Sequence, residues 1–289
     1  MIYLAIVSVL WAFSFGLIGS TLSNVDAFFV ATLRLSFATL VLLPFFRPKL
    51  LGGKNCFLLC VYGSIQFGVM YTCYMKAYQF LPSHLVALFS IFTPMYVVFI
   101  HSILQHEFSP RYLLAAIFSV IGAAIIKVQG TPSGDIWLGF ALMQVAGISF
   151  AYGQIAYRDW KRSHPSIDDL AVFSMLTLGG ALCAGTFSLF FSNTEYLVVS
   201  AAQWQAILYL GCIASGLGFF LWNKGATLSN AGELAAFNNA VVPLAVIVSL
   251  FIFNESQSLA LEDLFRLLTG GFFVATAVII AVKKGRVSE

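Results

Sequence analysis

Charged residues are scarce in this sequence, and that scarcity excludes a soluble protein. Only 9% of the 289 residues are Asp, Glu, Lys or Arg, whereas 60% are hydrophobic. Soluble domains carry about 25% charged and about 45–50% apolar residues, because a surface that faces water needs charge. The net charge of +3 is too small to indicate nucleic acid as a partner. The composition therefore predicts an all-α protein that lies in a lipid bilayer.

Several chemical motifs are also missing. The phosphate-binding pattern G-x-x-x-x-G-K-[ST] is absent, so the chain carries no ATP-driven engine of that kind. The hydrolase patterns H-E-x-x-H and G-x-S-x-G are absent as well. The five cysteines form no C-x-x-C pair, and we interpret them as apolar packing residues. We predict no catalytic residue, no metal site and no cofactor.

Long apolar runs are abundant, and they divide the chain into ten predicted membrane spans. A spanning helix needs about 20 mostly apolar residues. The connections between such runs are short and leave no room for a soluble domain. The predicted spans are 2–21, 27–46, 56–78, 83–105, 110–127, 136–156, 167–191, 203–223, 231–253 and 261–283.

Lys and Arg flank these spans unevenly, which predicts their orientation. With a cytoplasmic N-terminus, the inner segments hold eleven basic residues and the outer segments and span edges hold three. Cytoplasmic loops of membrane proteins are enriched in Lys and Arg. We therefore expect both termini on the cytoplasmic side of the inner (plasma) membrane. Arg34 belongs to neither group, because it lies within the second span.

The spacing of several residues predicts an internal repeat. Lys76 precedes Glu107 by 31 residues, and Lys224 precedes Glu255 by the same interval. Two further pairs match at corresponding places: Gly122 with Gly270, and Pro94 with Pro243. We predict one repeat in residues 1–130 and another in 131–289. Because each would contain five spans, the second would be inverted, a design typical of secondary transporters.

Two stretches support a resemblance to a known family. MKAYQFLPSHLVALFSIFTPMYVVFIHSILQHE and NKGATLSNAGELAAFNNAVVPLAVIVSLFIFNE resemble the paired segments of EamA-type members of the drug/metabolite transporter superfamily, as does WAFSFGLIG near the start. The resemblance implies ten helices in two inverted five-helix repeats, and export or exchange of amino acids and related metabolites. The second half departs from symmetry, because no Arg there matches Arg34.

Arg34 is the leading candidate for a binding residue. A guanidinium in hydrocarbon costs about 2.5–3.5 kcal/mol on insertion scales, so it should face protein or water. It could bind a carboxylate or phosphate through its planar fork of donors. Alternatively, it could be structural and paired with backbone carbonyls or with Asp26.

Other polar and aromatic residues fall near the middle of the predicted spans. Pro94 and Pro243 each free a backbone carbonyl four residues earlier, so we predict hinges there. Mid-span amides and aromatic rings are further candidates for substrate binding, and two titratable residues are candidates for proton coupling. The substrate-binding candidates are Arg34, Trp11, Asn238, Asn239, Gln66, Tyr71, Gln144 and Tyr152; the coupling candidates are His101 and Glu233.

These observations predict a secondary transporter that works by alternating access. The leading interpretation is export or exchange of small metabolites that carry a carboxylate, such as amino acids. One alternative is import of a larger metabolite such as a vitamin, a nucleotide or S-adenosylmethionine. Another alternative is a membrane enzyme or receptor, but an enzyme should group paired acids, or a nucleophile and base, at one depth. The predicted partners are a small molecule and the lipid bilayer; the sequence leaves the oligomeric state open.

Overall fold

The computed structural model describes residues 1–22, 24–81, 86, 89–105, 109–125, 136–252 and 261–282. Within these ranges the chain folds into ten helices, which confirms the predicted all-α membrane fold. They are α1 (Ile2–Thr21), α2 (Ala27–Phe45), α3 (Gly53–Ala77), α4 (Ser90–Phe92 continuing into Thr93–Gln105), α5 (Pro110–Ile125), α6 (Ile136–Ser163), α7 (Phe173–Phe191), α8 (Ala201–Thr227), α9 (Ala231–Phe251) and α10 (Leu261–Val282).

The helices form where apolar runs are long enough to cross a bilayer. Over the described residues, six helices (α1, α2, α3, α6, α7 and α8) are both long and apolar enough to cross a membrane. A helix is favoured in lipid because it satisfies its own backbone hydrogen bonds. Polar caps mark where several of them begin. Asp26 accepts a hydrogen bond from the Phe29 amide at the start of α2, and Ser200 and Gln203 form a capping box at α8.

Two helices contain an interruption that the sequence analysis did not predict. Residues Ser64–Val69 of α3 and Leu210–Leu217 of α8 adopt the wider π-helical conformation. Each of these π stretches ends seven residues before the matched lysine, Lys76 or Lys224. The matching positions agree with the inverted repeat. A π stretch places extra backbone in a turn and is frequently found at functional sites.

The proline-containing helices differ from each other. Pro243 lies inside α9, where it removes one helical hydrogen bond. Pro94 is instead the second residue of the regular part of α4 and follows a 3-10 turn at Ser90–Phe92. A proline in the first helical turn is tolerated because its missing N–H would have no partner there. A hinge at either proline stays a prediction.

Some of the sequence predictions fall outside the described residues. Glu107 and Glu255, which helped to define the repeat, are among them, as is the predicted boundary between residues 130 and 131. The division into 1–130 and 131–289 therefore stays a prediction. A further difference concerns α6, which continues to Ser163 rather than ending near residue 156. As a result, Arg158 belongs to a helix and is fully buried.

Glycines make the tightest contacts between helices in one half of the bundle. A Cβ atom added to Gly63 would lie 1.8 Å from the Leu176 carbonyl oxygen, and one added to Gly179 would lie 2.0 Å from the Cys60 carbonyl oxygen. At Gly153 an added Cβ would lie 2.1 Å from the Gln66 side chain. Small residues at helix interfaces allow the contacts on which association in lipid depends. We call this region the packed half.

Candidate substrate-binding site

A cavity lies next to the packed half, and the same helices build both regions. In α3, Gly63 belongs to the packed half, while Tyr71 lines the cavity two turns later. In α6 the order is reversed, with Phe150 at the cavity and Gly153 in the packed half. This reversal follows from the antiparallel course of α3 and α6. We call the end of the bundle with the cavity the cavity half.

The cavity has the kind of surface that a small-molecule site has. Such sites are concave and mostly apolar, with a few polar groups that orient the ligand. Most of its wall is apolar or aromatic, with a few polar groups. The lining residues are Trp11, Ser14, Phe15, Arg34, Met70, Tyr71, Tyr74, Ser90, Thr93, Met143, Ala146, Gly147, Phe150, Phe219, Asn238 and Val241.

Arg34 is the charged group among these lining residues, and it is only 1% exposed. Its Nη2 donates hydrogen bonds to the Tyr71 hydroxyl at 2.7 Å and to Ser215 Oγ at 3.2 Å. Its Nη1 lies 3.8 Å from Met75 Sδ. Its Nε is buried and makes no hydrogen bond within the described part of the chain. The guanidinium is therefore held by neutral groups and retains donor capacity.

The acid considered as a structural partner of Arg34 is engaged elsewhere. Asp26 caps α2 and also accepts hydrogen bonds from the Ser192 hydroxyl at 2.6 Å and from the Asn193 amide at 3.1 Å. Among the described residues, no carboxylate lies within ion-pair distance of Arg34. A buried cation without an acid is stabilised when an anion binds. This geometry favours anion binding over a purely structural pairing.

Aromatic rings form much of the remaining wall. Trp11 packs edge-on against Phe150 and Phe219, with 5.7 Å between ring centroids in each pair. The indole N–H of Trp11 donates to the carbonyl of Ala214, within the π stretch of α8. That bond fixes the ring and uses its single donor, so Trp11 can offer the substrate an apolar surface rather than a hydrogen bond.

The two candidate asparagines occupy different environments. Asn238 lines the cavity, and its Nδ2 donates to the Leu234 carbonyl at 2.7 Å. Asn239 is fully buried, and its Nδ2 donates to the Ile91 carbonyl at 2.9 Å. That second bond joins α9 to α4 close to both prolines. Asn238 is thus available to a ligand in the cavity, whereas Asn239 connects two helices.

Three other candidates are not among the residues that line the cavity. Gln66 and Asn223 form a fully buried reciprocal amide pair between α3 and α8, with N–O distances of 2.8 and 3.1 Å. Gln144 accepts a hydrogen bond from the Tyr96 hydroxyl at 2.8 Å and so connects α6 to α4. Tyr152 packs edge-on against another aromatic ring. A direct contact between any of them and substrate stays a prediction.

The two proton-coupling candidates also lie away from the cavity lining. His101 Nδ1 lies 2.8 Å from Nη2 of Arg158. Because arginine can only donate, His101 accepts at Nδ1 in this contact. Glu233 forms a capping box with Asn230 at the start of α9. The first contact joins α4 to α6 and the second caps α9; a role in coupling stays a prediction.

Ser215, Phe219 and Phe150 were not predicted from the sequence. Nothing in the sequence context of Ser215 or Phe150 distinguishes them from other residues of apolar helices. A signal was present for Phe219, which lies five residues before Lys224 just as Tyr71 lies five before Lys76. The two rings meet in the structure, with centroids 5.4 Å apart. The predicted repeat, applied residue by residue, would have drawn attention to that position.

The apolar helices and the cavity describe a membrane protein with a candidate small-molecule site, and comparison with known families specifies its class. The model of the EamA-like transporter family matches residues 1–128 and 133–281. The chain therefore belongs to that family and is a multi-pass membrane protein. A crystal structure with 15% sequence identity superimposes with a TM-score of 0.77, covering 96% of this chain and 94% of that one. That likeness supports the fold alone.

Several curated relatives carry the name of one substrate. A protein from Pseudomonas aeruginosa called a probable biotin transporter is 38% identical over 288 residues, covering 97% of this chain and 95% of that protein. Proteins called biotin transporter from Salmonella typhimurium and Escherichia coli are each 35% identical over 257 residues. These matches cover 88% of this chain and 85% of each relative.

Proposed function

We propose that this protein transports biotin across the bacterial inner membrane by alternating access. The residue pattern alone favoured export or exchange of amino acids, but the named relatives give that interpretation no support. They favour the alternative in which the substrate is a vitamin. The observation that carries the proposal is the buried Arg34 without an acid partner, in a cavity with aromatic walls.

The chemistry of biotin suits these walls. Biotin has a carboxylate on a flexible hydrocarbon chain and a compact bicyclic ring whose urea group both donates and accepts hydrogen bonds. In the proposed complex, the carboxylate binds the guanidinium of Arg34, whose charged donors favour carboxylate oxygens. The ring lies against Trp11, Phe150 and Phe219, and the urea group lies within reach of the Asn238 amide.

Alternating access requires that the cavity open to each side of the membrane in turn. In inverted-repeat transporters the halves rock around a site near the midplane. We assign this motion to α4 and α9, which the Asn239–Ile91 hydrogen bond joins and which contain Pro94 and Pro243. The packed half then forms the closed side in the described conformation. With both termini cytoplasmic, the closed side faces the cytoplasm and the cavity half faces outward.

Uptake of labelled biotin into proteoliposomes tests the proposal. Wild-type protein should take up biotin in preference to a panel of amino acids, nucleotides and S-adenosylmethionine, whereas empty liposomes should not. Saturable uptake of an amino acid with none of biotin would restore the first interpretation. Runs with and without a pH gradient test coupling, and reporter fusions at both termini test the orientation. Folded wild-type protein that moves none of these compounds would contradict the proposal.

A further inference from the structure

We propose that Tyr71 and Ser215 position the Arg34 guanidinium, and that this contact sets the affinity for the substrate carboxylate. The inference rests on the proposed function and extends it to a residue, Ser215, that sequence reasoning did not identify. Three groups meet in one place. Arg34 Nη2 donates to both hydroxyls, and the two hydroxyl oxygens lie 3.2 Å from each other. We call this arrangement the hydroxyl clamp.

The clamp combines residues from both repeats. Arg34 and Tyr71 come from α2 and α3, whereas Ser215 comes from the π stretch of α8, 181 residues after Arg34. All three are at most 4% exposed, so water does not compete for these bonds. The guanidinium carbon also lies 4.6 Å from the centroid of the Tyr71 ring. The orientation of the cation is therefore fixed from two sides.

Glycines explain how Ser215 reaches Arg34. A Cβ atom added to Gly211 would lie 2.7 Å from the Phe37 Cβ and 3.2 Å from the Arg34 carbonyl oxygen. One added to Gly216 would lie 3.4 Å from the Ala38 Cα. Because both glycines lack a side chain, the backbone of α8 packs directly against α2. This close approach places the short Ser215 side chain within hydrogen-bonding distance of a residue on the neighbouring helix.

The clamp uses one nitrogen of the guanidinium and leaves donors on the other two. Both hydroxyls bind Nη2, whereas Nη1 lies 3.8 Å from Met75 Sδ and Nε makes no hydrogen bond within the described residues. Each remaining N–H group can form a charge-assisted hydrogen bond with a carboxylate oxygen. By holding Nη2, the clamp prevents rotation of the guanidinium plane. Its loss should therefore weaken binding of the carboxylate and leave binding of the biotin ring unchanged.

The contact between α8 and α2 would also change when the two repeats move. A rocking motion that separates Ser215 from Arg34 removes one of the two hydroxyls that hold the guanidinium. Affinity for the carboxylate would then differ between the two conformations, as alternating access requires for release. Ser215 and Tyr71 are thus positioning residues, since the clamp acts on the substrate through Arg34.

Uptake kinetics with biotin and its neutral amide, biotinamide, test the clamp. Ser215→Ala should raise the KM for biotin about 10–150-fold, the effect of losing one hydrogen bond to a charged group. The maximal rate and the inhibition by biotinamide should change little. Tyr71→Phe should act in the same direction if Ser215→Ala folds poorly. Ser8→Ala is a matched control, because Ser8 is equally buried but, among the described residues, its hydroxyl bonds within its own helix to the Leu4 carbonyl.

A second arm measures the contact without any substrate. Ser215→Ala should lower the midpoint of thermal unfolding in wild-type protein but not in an Arg34→Gln background. Equal losses in both backgrounds, or an equal change in affinity for biotin and biotinamide, would overturn the clamp. Wild-type protein that takes up no biotin would overturn the proposed function, whereas a coupled unfolding cycle would still support the clamp.

Discussion

The two halves of the bundle differ in their tightest helix contacts, which all lie in the packed half. In the packed half, Gly63, Gly153 and Gly179 bring backbones together so tightly that a methyl group would not fit. In the cavity half, two of the same helices, α3 and α6, carry Tyr71, Phe150 and other large side chains and still leave a cavity between them. In the proposed mechanism, substrate binding and closure therefore take place at opposite ends of the same helices. Substitutions at one end should affect stability, and those at the other end should affect affinity.

The largest effect should follow a Gly179→Ala substitution in the packed half. The added Cβ would lie 2.0 Å from the Cys60 carbonyl oxygen, a backbone atom that cannot move aside alone. Overpacking typically costs about 1–3 kcal/mol and occasionally more, and a backbone clash should fall at the upper end. We expect a large loss of monodisperse protein in detergent and a lower unfolding midpoint.

A matched control lies on the same helix. At Gly185 an added Cβ would meet only the Thr32 methyl at 3.7 Å, an ordinary contact distance. Gly185→Ala should therefore purify like the wild type. If both variants of α7 behaved alike, close packing would not distinguish the packed half.

The next largest effect should come from Arg34→Gln in the cavity half. Removing one partner of a buried charge pair costs about 2–5 kcal/mol, so the KM for biotin should rise at least roughly 30-fold. Arg34→Lys should lie between wild type and Arg34→Gln, because lysine keeps the charge but lacks the planar fork. Uptake and thermal unfolding should be measured on the same preparations. A folded Arg34→Gln variant with wild-type uptake would remove Arg34 from the site.

A smaller effect should follow when the amide pair of the packed half is broken. Gln66→Leu leaves the buried Asn223 amide without its partner, which should destabilise the protein by about 1–3 kcal/mol. The affinity for biotin should stay unchanged, because Gln66 does not line the cavity. The double variant Gln66→Leu/Asn223→Leu should recover part of the stability. A changed KM with unchanged stability would instead return Gln66 to the binding site.

The smallest effect should follow Glu233→Gln. Glutamine can keep the capping box with Asn230, so the stability should change by less than about 0.5 kcal/mol. Uptake measured with and without a pH gradient should match the wild type. If the response to the gradient disappeared in this variant, Glu233 would act in proton coupling rather than as a helix cap.

The sequence was sufficient for the helices, because apolar runs of spanning length leave the backbone few alternatives in lipid. It also pointed to Arg34 and Trp11, whose character is unusual at that depth. The π stretches were not foreseen, since they depend on how α3 and α8 pack and not on a local motif. Gln66 shows a second limit of prediction from the sequence. A buried amide can face a cavity or another amide, and only the three-dimensional partner, here Asn223, distinguishes the two cases.

The wide separation of the clamp residues along the chain has a consequence for biogenesis. Proteins are synthesised from the N-terminus, so α2 enters the membrane with Arg34 long before Ser215, 181 residues later, has been translated. Until then the guanidinium carries an insertion penalty of about 2.5–3.5 kcal/mol, which the apolar residues around it in α2 must offset. The sequence of α2 must therefore meet two requirements. It must be apolar enough to enter the membrane from the translocon, and it must later hold the cation in place for binding.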